Sequence, residues 1–388
     1  MWILYLGMLI PLIATIILVV KFREKTHIVE IVIMWVASFS VIMGVKFISE
    51  KFSTMETEYW GEYGIRVDYY ERWDEYIHQT CSSTDSDGNT TYYDCSYVDT
   101  HYPYWEVITN TGNTYTITES QFNKYSKLWK SKKFQDIGRD YHSIDGDKYE
   151  SYWDKKEENI FPVITTHMYE NRVSNSSSIY DFMDVDTSQF KVFSYPEVED
   201  YQCNSILSEV RGKEISKGNK KLTIYNARYG TQKQVRMWLL IFKDKPFQYS
   251  TYQENYWKGG NKNEVVLCVG VRDSLLIDWV KCFSWTNKEI LKVNLRDSVL
   301  SQKYLDIDRA IEVMKNEVIE NFKRREFKEF DYLEVEPSLT ATLLSLLFIS
   351  LVVGGMVVYI ISNDFNNEEV RSNKGKFDRY MEDKWKRR

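Results

Sequence analysis

Residues 339–361 read LTATLLSLLFISLVVGGMVVYII and contain no charged side chain. A helix of about 20 such residues, rising 1.5 Å per residue, crosses the roughly 30 Å hydrocarbon core of a bilayer. Glu336 and Pro337 precede the stretch, and acidic groups are costly inside hydrocarbon. We therefore predict a transmembrane helix within residues 337–362.

Two further apolar stretches lie near the N-terminus, at residues 2–20 and 28–45, and the second contains Glu30. A cleaved signal peptide is the alternative for the first stretch, and it needs a basic n-region and a small-residue cleavage site. Here no basic residue precedes Lys21, and the apolar run ends at Lys21-Phe22-Arg23. We therefore predict two retained transmembrane helices, a helical hairpin in the membrane within residues 1–47.

Basic residues predict the orientation of the three helices. Lys21, Arg23 and Lys25 lie between the first two, and eight basic residues lie in the tail, residues 363–388. Three crossings place both segments on the same side, which the positive-inside rule makes cytoplasmic. We predict that residues 21–27 and 363–388 are cytoplasmic and that residues 48–338 are outside the cytoplasm.

The predicted outer segment is strongly acidic. Residues 1–47 and 363–388 each carry a net charge of +2, so −10 remains for the outer segment out of −6 for the whole chain. Such a charge disfavours nucleic acid and anionic lipid as ligands of this segment. We predict the bilayer and an extracytoplasmic protein or glycan as partners, and no nucleic acid.

Cys81 and Cys95 lie at equal distances from Gly88. An Asp-Gly pair between residues of β character is a strong hairpin signal, so we expect the cysteines to face each other across a hairpin. In an oxidising compartment they would form a disulfide. A metal site or two free thiols is the alternative.

Cys268 and Cys282 show the same symmetry about residues 274–276, but they lie in apolar strands. A buried cysteine there is usually a small hydrophobic residue, so their bonding is left open. Cys203 has no predicted partner.

Residues 48–195 are interpreted as one β-rich extracytoplasmic domain. Residues 58–72 are typical of an extended strand, and the cysteine hairpin follows. The sequence Thr118-Glu119-Ser120-Gln121 is typical of a capped helix start, which predicts a short helix over residues 118–129.

Residues 196–336 are predicted to form an α/β sandwich. Buried strands are expected at residues 235–242, 264–271 and 276–285, and a helix at residues 249–257. Two helices close the segment. The second has one apolar stripe, which we expect to be buried against the sheet; it consists of Ile307, Ile311, Met314, Val318 and Phe322.

This order of elements resembles the TPM domain family, whose members are membrane-anchored extracytoplasmic α/β domains. The resemblance rests on the strand at residues 238–242, the glycine-rich loop at 257–263 and the strand at 265–271. Glu264 stands where the family usually has glycine, and Ser284-Trp285-Thr286 replaces its later glycine-rich turn. Some members of the family are acid phosphatases and others are receptor auxiliaries, so the resemblance does not determine an activity.

The whole chain also resembles an uncharacterised family of membrane proteins from tailed-phage and bacterial genomes. The residues that carry this resemblance are 73–76, 93–97 and 256–264. No activity comes with it.

The loop at residues 257–263 is the candidate ligand site. Glycines allow backbone amides to approach a ligand, and polar side chains stand at the entrance of the next strand. A plain helix–strand connection is the alternative. The candidate residues are Trp257, Gly259, Gly260, Asn261, Asn263 and Glu264.

Catalytic residues remain unknown, because the sequence contains none of the common catalytic or nucleotide-binding motifs. Residues 85–89 resemble the start of a calcium loop, but Ser96 occupies the position that needs a bidentate glutamate, so a hairpin turn is favoured. His78, His101, His142 and His167 share no metal-ligand spacing.

These observations predict a membrane-anchored α+β protein of a bacterial or phage-modified cell envelope. Its expected function is non-enzymatic, as an extracytoplasmic binding or structural module without a cofactor. The alternative is a TPM-type phosphatase that uses acidic residues and a divalent metal.

Overall fold

A computed structural model of the chain describes residues 2–23, 26–136, 147–173, 175–176, 182–199 and 204–362. Lys25, Cys203 and the predicted cytoplasmic tail lie outside these residues. The chain forms two compact units. The first consists of Met1–Glu56, Tyr169–Asp181 and Phe327–Arg388, and the second of Thr57–Met168 and Phe182–Glu326.

The described residues contain nine α-helices. They are α1 (Trp2–Tyr5), α2 (Leu9–Lys21), α3 (Ile28–Thr54), α4 (Glu119–Trp129), α5 (Lys213–Lys233), α6 (Gln248–Tyr256), α7 (Glu289–Leu300), α8 (Ile307–Asn321) and α9 (Leu339–Ser362).

The described residues also contain fourteen strands. They are β1 (Met55–Tyr70), β2 (Trp73–Ile77), β3 (Thr80–Thr84), β4 (Thr90–Asp94), β5 (Tyr97–His101), β6 (Tyr104–Thr109), β7 (Thr114–Ile117), β8 (Lys132–Asp136), β9 (Asp147–Tyr152), β10 (Phe161–Glu170), β11 (Ile206–Ser208), β12 (Arg236–Lys243), β13 (Glu264–Val271) and β14 (Ile277–Phe283).

Two helices of the first unit, α3 and α9, are long and apolar enough to cross a membrane. The apolar helix at Leu6–Lys21 is shorter. Helix α3 continues to Thr54, past the predicted span, because residues 46–54 contain neither proline nor glycine to stop it. Buried side chains of α2, α3 and α9, among them Leu18, Met34 and Ile349, form one apolar cluster.

A polar segment of the same unit holds the end of α3. The amide of Asn171 donates to the carbonyl of Thr54 at 2.6 Å. Arg172 pairs with Glu50 at 2.5 Å and donates to the carbonyl of Leu333 at 3.2 Å. The segment therefore joins the end of α3 to the chain that precedes α9.

The second unit contains an antiparallel sheet of order β7-β6-β1-β9-β8, in which β10 also pairs with β1. Its apolar core includes Val67, Val107 and Phe161, and Phe122 and Trp129 of α4 belong to the same cluster. Helix α4 begins with the expected capping box, in which the side chains of Thr118 and Gln121 bond reciprocally to backbone amides. The predicted helix at residues 118–129 is confirmed.

The same unit contains a four-stranded sheet of order β11-β12-β13-β14. Strands β11, β12 and β13 are parallel, and β14 is antiparallel to β13. Alternate residues of β12 belong to different clusters: Leu239 packs with residues of α5, α7 and α8, whereas Trp238 packs with Trp257 and Tyr249. Both faces are covered, which explains why β13 is buried along its whole length, as predicted for residues 264–271.

The apolar stripe of α8 lies in the core. Ile311, Met314 and Val318 are fully buried, and Ile307 and Phe322 expose at most 5% of their surface. Asp306 caps the helix by accepting a hydrogen bond from the amide of Arg309 at 3.0 Å. The predicted orientation of this helix is confirmed.

Helix α5 has no counterpart in the sequence analysis. Its 21 residues are largely polar and include Gly218 and Gly230, which weaken a helix in isolation. Gly230 packs directly on β1, because a Cβ added there would lie 2.5 Å from the backbone nitrogen of Gly61. Gly230 and Gly61 therefore allow helix α5 and strand β1 to touch backbone to backbone.

Cys268 and Cys282 are free thiols. In the β13–β14 ladder Cys268 is opposite Lys281, and Cys282 is opposite Leu267. This offset of one residue places the two sulfur atoms on opposite faces of the sheet. Cys282 accordingly packs with the helices of one face, and Cys268 with Trp238 on the other.

Candidate functional site

The predicted ligand loop folds back on itself between α6 and β13. Lys258, Gly259 and Gly260 all have positive φ, at 50°, 79° and 78°. This conformation suits glycine and turns the chain sharply. The indole nitrogen of Trp257 donates to the carbonyl of Phe193 at 2.8 Å, which anchors the start of the loop.

Glu264, at the end of the loop, is fully buried and is the centre of a hydrogen-bond network. Its Oε1 atom accepts from the hydroxyl of Tyr195 at 2.5 Å and from the indole of Trp238 at 2.9 Å. Its Oε2 atom accepts from the backbone amide of Asn261 at 2.9 Å. Burial raises the pKa of Glu264, while these donors and the charge of Arg236 oppose the shift.

Burial also raises the pKa of Tyr195 well above its ordinary value, and the charge of Glu264 adds to this effect. The phenol therefore stays protonated and acts as a donor.

The remaining polar residues of the loop contact β1. Asn263 donates to the carbonyl of Tyr59 at 2.7 Å. Lys262 pairs with the buried Glu58 at 3.4 Å, and Arg324 donates to the same carboxylate. Burial lowers the pKa of Lys262, and the charge of Glu58 opposes that shift. The loop thus joins the four-stranded sheet to β1.

The structure therefore brings Asn261 and Glu264 together and directs Asn263 and Trp257 elsewhere. Gly259 lies against the rings of Phe182 and Trp285, and Trp285 donates to the carbonyl of Gly260 at 2.9 Å. Most polar side chains of the loop have partners inside the protein, but the buried Oδ1 atom of Asn263 has no hydrogen-bond partner among the described residues. A ligand role for the loop stays a prediction.

A second feature is the largely exposed segment of residues 73–104, which we call the hairpin arm. It consists of two separate ladders, β2 with β5 and β3 with β4. The disulfide between Cys81 and Cys95 is confirmed, with a Cα–Cα distance of 5.8 Å. It crosslinks the β3–β4 hairpin at the end opposite its turn.

The register of this hairpin differs from the prediction. Thr84 is paired with Thr90, and Cys81 with Tyr93, so the hairpin is centred on Asp87 and the disulfide is diagonal. The reason is a three-residue loop that ends in Gly88 with φ of 84°. The carboxylate of Asp85 accepts from the amides of residues 87 and 89 at 3.0 and 2.8 Å, as in a hairpin turn.

The hairpin arm exposes aromatic side chains and is acidic. Residues 73–104 contain six aspartates and glutamates and no lysine or arginine. Four tyrosines of the arm each expose half or more of their surface; they are Tyr92, Tyr93, Tyr97 and Tyr102. Exposed tyrosines are typical of interaction surfaces, and charge of one sign steers a partner of the opposite charge.

Three side chains of the arm converge on one face of the β2–β5 ladder. The Nε2 atom of His101 lies 3.0 Å from Glu75 and 3.8 Å from Asp99. The imidazole stacks on Trp73 at 3.7 Å between ring centres. Two carboxylates and a neutral imidazole could hold a divalent cation, and a protonated imidazole would instead pair with both acids.

Sequence spacing did not reveal this group, because its members come from two strands that pair antiparallel, with Glu75 opposite Asp99. Of the other histidines, His142 lies outside the described residues. His167 stacks on Trp60 at 3.4 Å and bonds to the hydroxyl of Thr165 at 2.8 Å. Burial lowers its pKa, which favours the neutral ring.

Comparison of the chain with protein-family models, with curated proteins and with solved structures finds no match.

Proposed function

We propose that the protein is a membrane-anchored, extracytoplasmic binding module, and that the hairpin arm is its contact surface. The observation that carries this proposal is the composition of the arm, which exposes four tyrosines and has acidic residues but no lysine or arginine. Such a surface is complementary to a protein with a basic face, since aromatic anchors supply contact area and opposite charges steer association. A glycan is the other candidate partner.

Two features support the extracytoplasmic location. Disulfides persist in oxidising compartments, and the bond between Cys81 and Cys95 lies in the arm. Helices α3 and α9 are apolar enough to cross a membrane. The basic residues within segments 21–27 and 363–388 favour a cytoplasmic location for both segments. The proposed topology has three crossings, with residues 48–338 outside.

Cysteine labelling in intact cells tests the topology. In a Cys203→Ser background, Ser301→Cys is expected to react with a membrane-impermeant maleimide, and Ser372→Cys only after the cells are permeabilised. Cys268 should stay unreactive, because burial raises the pKa of its thiol well above the ordinary value and the thiolate is the reactive form. Labelling of Ser372→Cys in intact cells would rule out the three-crossing topology.

Photo-crosslinking of the full-length protein in its own membrane tests the role of the arm. A photoreactive amino acid at Tyr92 or Tyr102 is expected to give an adduct of discrete mass. The yield should fall several-fold in high salt, because the proposed contact depends on charge. The matched control is Tyr304, which exposes 51% of its surface and lies outside the arm.

Equal adducts from Tyr304, or no adduct from either arm position, would contradict the proposal. An adduct that disappears on treatment with glycosidases would identify a glycan in place of a basic protein.

The alternative function, a TPM-type phosphatase, has its own measurement. Release of phosphate from a phenyl phosphate ester by the full-length protein, dependent on a divalent metal and abolished by a chelator, would favour it. We expect no metal-dependent release.

A further inference from the structure

A groove in the second unit is lined by residues of α4, the turn at residues 154–159 and α5. Its volume is about 810 Å³. Five lysines line it; they are Lys124, Lys127, Lys130, Lys156 and Lys220. Lys124 and Lys127 lie on α4, three residues apart, and Lys130 follows directly at its C-terminal cap. Three separate segments thus bring positive charge to one concave surface.

The lysines of the groove are exposed, and they differ from other lysines nearby in forming no ion pair among the described residues. On helix α5, which carries the groove residue Lys220, Lys217 pairs with Asp308 at 3.0 Å and Lys221 with Glu312 at 3.0 Å. No ion pair involves any of the five groove lysines within the described part of the chain. The Nζ atom of Lys124 lies 5.0 Å from the ring centre of Tyr125. The charges of the other four lysines are available to a ligand.

Acidic residues do little to offset this charge. Among the described residues, Asp154 is the one carboxylate that lines the groove. Adjoining cavities that share Lys220 are lined by Glu157, Glu158 and Asp308, of which Glu157 pairs with Arg228 and Asp308 with Lys217. Asp154 already accepts from the amide of Lys156 at 3.1 Å and from the side chain of Asn159 at 2.7 Å. The groove is thus a strongly basic surface within a segment whose net charge is negative.

We infer that this groove binds a linear polyanion whose charges are phosphates and which is not a nucleic acid. Lysine binds phosphate as a compact point charge, and several lysines along a groove match repeated charges along a chain. This site is separate from the hairpin arm and does not depend on its role.

The shape and lining of the groove disfavour two other anionic ligands, single-stranded nucleic acid and a membrane surface. Single-stranded nucleic acids need exposed aromatic rings on which bases stack. The aromatic side chain at the groove is Trp129, which is 3% exposed and donates to the carbonyl of Asn159 at 2.8 Å. A membrane surface is planar, whereas these lysines lie on helices and a turn around a concavity, which suits a chain molecule.

The test uses full-length protein in a neutral detergent and short-chain inorganic polyphosphate as the probe. Binding is measured by calorimetry at two salt concentrations. For about four phosphate contacts, the association constant should fall roughly 50- to 150-fold between 50 and 200 mM salt. No binding at low salt would overturn the inference.

The variant Lys127→Ala/Lys156→Ala/Lys220→Ala is expected to weaken binding at least about tenfold and to lower the salt slope by about three. Its melting temperature should be unchanged, because the three side chains are exposed and unpaired within the described residues. The matched control is Lys191→Ala/Lys213→Ala/Lys288→Ala, which removes three lysines outside the groove that are likewise exposed and without an ion pair among the described residues. An equal loss in the control would show non-specific attraction and overturn the inference.

Two competing probes test the ligand class. Single-stranded DNA, and phosphatidylserine in mixed micelles with the same detergent, are each expected to bind more weakly than polyphosphate and to be insensitive to the groove variant. Tight binding of either probe that the groove variant abolishes would overturn the assignment to a non-nucleic polyphosphate chain.

Discussion

The substitution Ile311→Asp is expected to unfold the four-stranded part of the protein. Ile311 is fully buried in the cluster formed by α5, α7, α8 and one face of the sheet. The change removes a packed aliphatic side chain and places a carboxylate where no partner is available. An unpaired buried charge and the lost packing together cost about 5 kcal/mol or more, which is comparable to the whole stability of a domain.

The measurement is chemical unfolding of the full-length protein in detergent, followed by tryptophan fluorescence, because Trp238 and Trp279 lie in this sheet. The matched control is Asn316→Asp, which introduces the same side chain at an exposed position of the same helix. It is expected to change the free energy of unfolding by no more than about 0.5 kcal/mol. If Ile311→Asp unfolds like the control, α8 is not part of the core.

Glu264→Ala is the second change with a large expected effect. It leaves the hydroxyl of Tyr195, the indole of Trp238 and the amide of Asn261 without their acceptor in a buried site. Each unsatisfied donor costs about 1–3 kcal/mol, so a loss of roughly 3–9 kcal/mol is expected for the three. Fluorescence-detected unfolding, as above, measures it.

Glu264→Gln is the matched control for this site, because it keeps the volume and one acceptor. The carbonyl oxygen of the introduced glutamine side chain can accept from Tyr195 and Trp238. Its NH₂ group then faces the backbone amide of Asn261, and both of these groups are donors. The expected loss is therefore smaller than for alanine, by at least about 1 kcal/mol. Equal losses for the two variants would mean that the hydrogen bonds do not stabilise the loop.

A comparison of the unsubstituted protein with Glu264→Gln isolates the effect of pH. The pKa of Glu264 is raised above its ordinary 4.5, chiefly by burial, so the folded protein holds this proton more tightly than the unfolded chain. Stability from this group is then present at low pH and is lost as pH rises from about 4.5 through the pKa of the folded state. Glu264→Gln should lack this decline, and identical pH profiles for the two proteins would contradict the assignment.

Local sequence patterns predicted several elements because their causes are local. The capping box at Thr118 and Gln121 satisfies backbone donors within one turn, and the stripe from Ile307 to Phe322 follows the period of a helix. The apolar run at residues 264–271 is long enough for one buried strand. The disulfide was found because an Asp-Gly turn brings two cysteines close in sequence and in space.

The candidate site was only partly predictable, because its contacts join residues that are far apart in the chain. The sequence indicated the loop at residues 257–263 through its glycines, but no signal linked Glu264 to Tyr195, which lies 69 positions away in the chain. The triad of Glu75, Asp99 and His101 and the lysines of the groove likewise come from separate elements. Helix α5 was missed because its glycines argue against a helix until Gly61 of β1 packs against Gly230.

By itself the sequence determined the apolar stretches at its two ends, the α+β class, the buried strands and the disulfide. Each of these depends on composition or on contacts within about one turn or one hairpin. Only the tertiary structure decided the strand order, the hairpin register, the inward orientation of the ligand loop and the gathering of five lysines in one groove. These depend on contacts between distant residues, where packing and burial select one arrangement among many that local preferences allow.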